Sequence, residues 1–335
     1  MIQMGYANSK TRILAVYEIL KSMSDEEHPV NAKLIIDELG KSGYDCERKT
    51  VYSDIEALND YGIEVLHTDY PRKGYFLADR SFEVSEIGLL IDAVLSANFI
   101  TPKKTIQLVE KLKEFLSKNQ YAEVLKNTFI NNRKKCDNEE IFYNIDTIRK
   151  AIKKKKKVSL SYYKHTLKSG HFIEKSYKTM VVSPYALLWQ DDFYYLVCNN
   201  QKYNNLMHLR LDRIKKAEIL DEDFRHFSEV SEYTDEFNIS DYASKTFNMF
   251  SGVAEDITLK CNINILNQVI DKFGNDIFVR TSDDNHLIFD SKVYISEGFI
   301  GWILSFGKEI EVLKPLSLRE KVSKEINEIY GIYNN

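Results

Sequence analysis

Residues 45–66 read DCERKTVYSDIEALNDYGIEVL, and the fold of the N-terminal part turns on this stretch. Asp45 is positioned to cap a helix, and Gly62 stops the helical pattern ahead of the strand-like run Ile63-Glu64-Val65. Val51, Ile55 and Leu58 recur at helical spacing and predict one buried stripe. Lys49, Thr50, Tyr52 and Ser53 then fall on the other side, close to the helix N-terminus. Such donors and acceptors can hold phosphates and reach base edges in a major groove. A polar outer face also suits any surface helix, so the neighbouring elements decide.

Upstream, Ile13, Val16, Tyr17 and Leu20 mark one face of a helix from Ser9 to Met23. Asn31 is placed to cap a second helix, with Leu34, Ile35 and Leu39 inward and a stop near Gly43. Downstream, IEVLHT and KGYFLA are strand-like runs separated by DYPRKG, whose Arg72 and Lys73 are cations in a turn. Three short helices and then a two-stranded hairpin is the order of a winged helix-turn-helix, whose third helix enters the major groove. The candidate DNA contacts are therefore Arg48, Lys49, Thr50, Tyr52, Ser53, Arg72 and Lys73. Residues 47–77, ERKTVYSDIEALNDYGIEVLHTDYPRKGYFL, also resemble the winged helix of the DeoR/YafY-like bacterial regulators. That family's Arg-Thr-x-x-Arg-Asp-Ile pattern reads Lys49-Thr50-Val51-Tyr52-Ser53-Asp54-Ile55 here, so Lys49 and Ser53 stand where the family has arginines.

The chain of 335 residues is too long for one ordinary core. Its net charge of −4 hides a division: −4 over residues 1–80, zero over 81–140, +10 over 141–220 and −10 over 221–335. A basic block beside an acidic one suggests a domain boundary and an anionic partner for the basic part. The run Lys153 to Lys157 also reads as the solvated end of a helix. The four cysteines, Cys46, Cys136, Cys198 and Cys261, lie far apart without ligand spacing, which argues against a zinc site or a disulfide framework. No apolar run approaches the ~18 residues of a membrane span, and MIQMGYANSK lacks a signal-peptide core. A cytoplasmic protein with no cofactor and no metal is the expectation.

Residues 81–140 are expected to be a helical connector. Ser85 is placed as one cap, with Ile87, Leu90, Ile91, Val94 and Leu95 inward. Thr101-Pro102 opens a second helix bearing Ile106, Val109, Leu112 and Leu116. These apolar helices, and the paired half-sites that such heads read, suggest a homodimer.

From Val158 the pattern turns to strands, and four or five short ones within about 60 residues suggest a small antiparallel barrel. Ser183-Pro184-Tyr185-Ala186-Leu187, Phe193-Tyr194-Tyr195-Leu196 and His208-Leu209-Arg210-Leu211-Asp212-Arg213-Ile214 are similar to the WYL domain, an Sm/SH3-like barrel found behind winged heads. Its namesake tripeptide is Tyr194-Tyr195-Leu196 here. The resemblance implies a groove lined by Tyr162, Ser183, His208, Arg210 and Arg213, with Tyr162 ending the first strand. Guanidinium groups bind phosphate or carboxylate bidentately, so the implied effector is a nucleotide or single-stranded nucleic acid. Arg210 and Asp212 also read as charges neutralising each other on a strand surface, and Tyr195, Leu196 and Trp189 read as core.

The last segment alternates strands and helices, with a capping box at Ser317 and a final helix placing Val322, Ile326 and Ile329 inward. It resembles the C-terminal extension of WYL proteins, including Trp302 to Gly307. The reading is thus an α+β chain: winged helix-turn-helix over 1–80, connector over 81–140, WYL barrel over 141–225 and α/β extension over 226–335. It implies a regulator that binds double-stranded DNA and is no enzyme. No P-loop, GxGxxG, GxSxG or HExxH is present. A nucleic-acid-binding scaffold and a metal-dependent hydrolase with spatially assembled carboxylates stay open as alternatives.

Overall fold

The computed structural model describes residues 9–127, 135–168 and 172–334, so the first eight residues of the stretch weighed for a signal core lie outside it. The chain divides into two units, Met1–Cys136 and Asp137–Asn335. No helix among the described residues is long and apolar enough to cross a membrane.

The first unit opens with α1 (Ser9–Met23), α2 (Ala32–Lys41) and α3 (Arg48–Tyr61), then the hairpin β1 (Val65–Thr68) and β2 (Gly74–Leu77). Val16, Leu20, Ile35, Leu39, Val51, Ile55 and Leu58 close one core with Val65 and Leu77. The Asn31 side chain accepts from the Leu34 amide at 2.9 Å, the expected cap of α2. Gly62 ends α3 in the left-handed conformation, φ 99°. The expected cap at Asp45 is a correction: Glu47 holds that position, without a side-chain cap bond. Val30 exchanges two backbone hydrogen bonds with Tyr75, 2.8 and 2.7 Å, adding a third edge to the hairpin. A Cβ on Gly74 would lie 2.8 Å from the Val30 carbonyl carbon and oxygen, so this approach needs glycine.

Three helices follow: α4 (Val84–Ser96), α5 (Pro102–Lys113) and α6 (Lys118–Asn127). Thr101 caps α5 ahead of Pro102, as expected. At α4 the cap is Glu83 in a reciprocal capping box with Glu86, not Ser85. Ile87, Ile91, Val109 and Leu116 are buried, whereas Leu90 and Ile106 are exposed, so the expected stripe is narrower than helical spacing suggested. A buried node ties these helices to the head. Asp25 accepts from the Ser117 hydroxyl and the His28 amide, and Arg80 donates to the carbonyls of Lys21 and Ser24 at 2.9 and 2.6 Å.

The second unit starts with α7 (Ile141–Lys154), which packs Ile141, Ile145, Ile148 and Ala151 inward. Its sheet comprises β3 (Lys156–Lys168), β4 (Phe172–Gln190), β5 (Phe193–Asn199), β6 (Met207–Arg210) and β7 (Ile214–Asp223), in the order β6-β5-β4-β3-β7. All neighbours are antiparallel. β4 is long because it serves two partners, β3 up to Val182 and β5 from Ser183. β6 and β7 are joined by a 3-10 turn, Leu211–Arg213, and no ladder pairs them among the described residues. The lysine run divides between roles: Lys153 and Lys154 end α7, while Lys156 and Lys157 pair with Asp221, Asp223 and Glu222 on β7.

After α8 (Ile239–Lys245), a second sheet forms from β8 (Val253–Asn262), β9 (Val279–Asp283), β10 (His286–Ile295) and β11 (Ile310–Lys314). Its order is β11-β8-β10-β9. With α9 (Leu266–Phe273) between β8 and β9, and α10 (Glu297–Ser305) between β10 and β11, this is a ferredoxin-like βαββαβ arrangement. The final helix is α11 (Leu316–Tyr333). Its cap is Pro315 rather than a box at Ser317, and Ile326 and Ile329 are exposed where burial was expected.

Candidate nucleic-acid interface and effector site

The head carries a hollow of about 370 Å³ between the start of α2, the start of α3 and the wing. Its lining includes Asn31, Lys33, Arg48, Tyr52, His67 and Lys73. Arg48, Tyr52 and Lys73 thus converge from three separate predicted positions. Lys49 and Ser53 are exposed on the neighbouring surface of α3, and Thr50 is half-buried. Arg72 faces elsewhere, with its Nε donating to the Pro29 carbonyl at 3.0 Å, which ties the wing to the α1–α2 turn. Tyr75 packs against Tyr52 and His67 at ring separations of 6.0 and 5.0 Å and also lines the hollow.

What orients α3 is an ion pair to which the sequence pattern assigned no role. Asp54 is 3% exposed. It accepts from Nε and Nη2 of Arg12 at 2.7 and 3.0 Å, and this fork holds α1 against α3. The signal was Asp54 within the Tyr52-Ser53-Asp54-Ile55 pattern, which leaves a carboxylate next to the buried stripe.

In the second unit, Tyr162, Arg210 and Arg213 gather at one end of the sheet. Tyr162 lies mid-strand, not at the end of β3 as expected, and is buried. Burial pushes its hydroxyl pKa up against the pull of the neighbouring Arg213 guanidinium. Arg213 reaches this place because β6 ends at Arg210 and the 3-10 turn redirects the chain. Arg210 forks onto Asp212 at 3.0 and 2.7 Å, and its guanidinium carbon sits 3.3 Å from the Phe193 ring centroid. Burial works against the Arg210 charge, but the bonds to Asp212 outweigh it and raise its pKa. Asp212 is buried within the turn, so the pair is no strand-surface neutralisation.

The contacts of Ser183 and His208 run to another part of the unit. The Ser183 hydroxyl accepts from the Arg225 amide at 2.9 Å. His208 Nε2 lies 2.7 Å from the Tyr242 hydroxyl of α8, and burial pushes its pKa down to about 4, so the ring is neutral at cellular pH. Both residues hold the segment that leads to the second sheet. Leu196 is core as expected and Tyr195 is half-buried, whereas Trp189 is 52% exposed, contrary to expectation.

Residues 143–219 match the WYL domain model, and residues 254–330 match the WCX domain model. The chain thus carries a WYL domain followed by a WCX domain. Its WYL domain comprises most of α7 and the five-stranded sheet, and the WCX domain is the ferredoxin-like part with α11. Over 302 residues the chain is 22% identical to the uncharacterized HTH-type transcriptional regulator YobV of Bacillus subtilis, covering 87% of this chain and 91% of that one. A shorter likeness, 32% over 110 residues, links 31% of this chain to 11% of the sensor histidine kinase RcsC of Salmonella typhimurium. Among solved structures, proteasome accessory factor B/C of Arthrobacter aurescens aligns with a TM-score of 0.26 and 14% identity, covering 93% of this chain and 46% of that one.

Proposed function

We propose that this WYL-domain protein is a transcriptional regulator that binds double-stranded DNA through its winged head and senses an anionic effector through its WYL domain. The observation that carries the reading is the hollow where α2, α3 and the wing bring Arg48, Tyr52 and Lys73 together, beside exposed Lys49 and Ser53. The HTH-type regulator among the relatives supports it. The head's net charge of −4 over residues 1–80 limits non-specific attraction to phosphates, so affinity rests on these placed groups. Fragment pull-down with sequencing is expected to enrich discrete sites. On such a site, Lys49→Ala with Tyr52→Ala is expected to weaken binding by roughly 1–3 kcal/mol for each base that α3 no longer reads. A gel-shift titration in which the double variant binds like the parent removes α3 from the interface.

The effector half of the reading assigns a nucleotide or single-stranded nucleic acid to Tyr162, Arg210 and Arg213, with Ser183 and His208 supporting the fold behind them. Binding there shifts the head between DNA-competent and incompetent states by no more than the effector's differential affinity for the two. The same reading keeps four functional parts, 1–80, 81–140, 141–225 and 226–335, and a homodimer. Exposed Leu89, Leu90 and Ile106 on the connector helices are apolar surface for such pairing. Light scattering at micromolar concentration is expected to give twice the 39.1 kDa chain mass. A monomer both with and without DNA overturns the dimer.

A further inference from the structure

β7 accompanies β3 only as far as Tyr162, which pairs with Ile214. Beyond that point β3 and β4 continue as a ribbon of two strands, from Tyr163↔Tyr177 to Lys168↔Phe172, with no third strand among the described residues. We propose that this ribbon is a second DNA-binding element, an arm that contacts the phosphates of duplex DNA independently of sequence.

Strand alternation sorts its side chains. Opposite residues of an antiparallel pair share a face, so Lys178, Lys164 and Lys168 lie on one side with Ser176, Thr166 and Glu174, which pairs with Lys168 at 3.5 Å. From the level of Tyr162 to that of Lys168 this row spans about 20 Å. Over residues 163–168 and 172–178 the described ribbon holds four lysines against one acid, Glu174. Near its end, on the face opposite the lysine row, Leu167 and Ile173 form a cross-strand pair, 70% and 73% exposed. A two-stranded ribbon fits a DNA groove, and in the minor groove apolar side chains serve as wedges against base steps.

The opposite face of the ribbon is poorly made for a single strand, which needs open aromatic faces on which to stack. Tyr163 is buried, with the Lys175 ammonium 4.6 Å from its ring centroid, and Tyr177, 48% exposed, has one ring face occupied by Lys215, 5.2 Å from its centroid. The charge and the shape therefore favour a duplex.

The inference rests on the DNA-binding reading, and its test separates the two. The full chain is titrated by fluorescence anisotropy with a duplex carrying an enriched site and with a scrambled duplex, at several salt concentrations. Lys164→Ala/Lys168→Ala/Lys178→Ala is expected to weaken both duplexes equally and to reduce the slope of log affinity against log salt by about 2–3, near 0.9 for each phosphate no longer neutralised. Leu167→Ser/Ile173→Ser is expected to weaken both duplexes several-fold with the slope unchanged. Lys49→Ala/Tyr52→Ala differs from both by removing the preference for the enriched site. A lysine variant with the parent's affinity and slope overturns the arm alone, and a parent that binds no duplex overturns both readings. An apolar-pair variant that keeps its DNA affinity but halves the mass in light scattering assigns the surface to a second copy and overturns the arm. A lysine variant weakened only toward single-stranded oligonucleotides does so as well.

Discussion

Arg12→Ala is expected to destabilise the winged head by about 3–5 kcal/mol, the cost of stranding a buried charge. Asp54 is almost closed to water, so without the guanidinium its carboxylate sits uncompensated beside the apolar stripe of α3. Asp54→Ala is expected to cost less. The Arg12 side chain is 19% exposed and can swing its charged end into solvent once the carboxylate is gone. The hydrogen bond that Arg12 donates to Asp54 is the main reason the Arg12 pKa is raised, so the guanidinium keeps its charge. Replacing both partners, Arg12→Met with Asp54→Leu, is expected to restore most of the stability, because an apolar pair of similar volume needs no desolvation. Both tryptophans, Trp189 and Trp302, lie in the second unit, so indole fluorescence does not follow the head. Hydrogen exchange at the α1 and α3 amides is the appropriate measurement. Equal protection in Arg12→Ala and the parent contradicts the assignment.

The sequence was most legible where a local pattern and its packing agree. The stripe Val51, Ile55 and Leu58 is buried because its spacing matches one helix face, and Asn31 and Thr101 cap because a short polar side chain precedes each apolar stripe. Caps failed where the first turn offered several acceptors: Glu47 displaces Asp45 and Glu83 displaces Ser85, an ambiguity of a few residues that periodicity does not resolve. Leu90, Ile106, Ile326 and Ile329 were misplaced because helical spacing says which residues share a face, not whether anything covers it. The clustering of Tyr162, Arg210 and Arg213 was half legible. Arg210 and Arg213 belong to one motif, but their convergence on Tyr162 depends on a 3-10 turn that ends β6. His208 and Ser183 were drawn elsewhere by Tyr242 and Arg225, partners 34 and 42 residues away that no local window contains.

Arg210→Ala is expected to destabilise the second unit by a similar amount, and this changes how any effector experiment on it is read. The guanidinium stacks on Phe193 and forks onto Asp212, so truncation removes a cation–π interaction and leaves a buried carboxylate unpaired. Arg210→Lys restores a charge but neither the fork nor the stack, and its stability is expected to fall between those of the parent and Arg210→Ala. Both tryptophans report on this unit, so a fluorescence-monitored denaturation follows it directly. Loss of effector binding in Arg210→Ala therefore does not distinguish direct recognition of the anion from a loosened site. Arg213 makes the distinction possible: it is half-buried, and its guanidinium adjoins the Tyr162 hydroxyl. Arg213→Ala is expected to leave the denaturation midpoint close to the parent's while weakening the binding of mononucleotides or short single-stranded oligonucleotides in calorimetric titration. If Arg210→Ala melts with the parent, the Arg210–Asp212 pair carries no structural weight. If Arg213→Ala binds as tightly as the parent, the anion does not meet this end of the sheet.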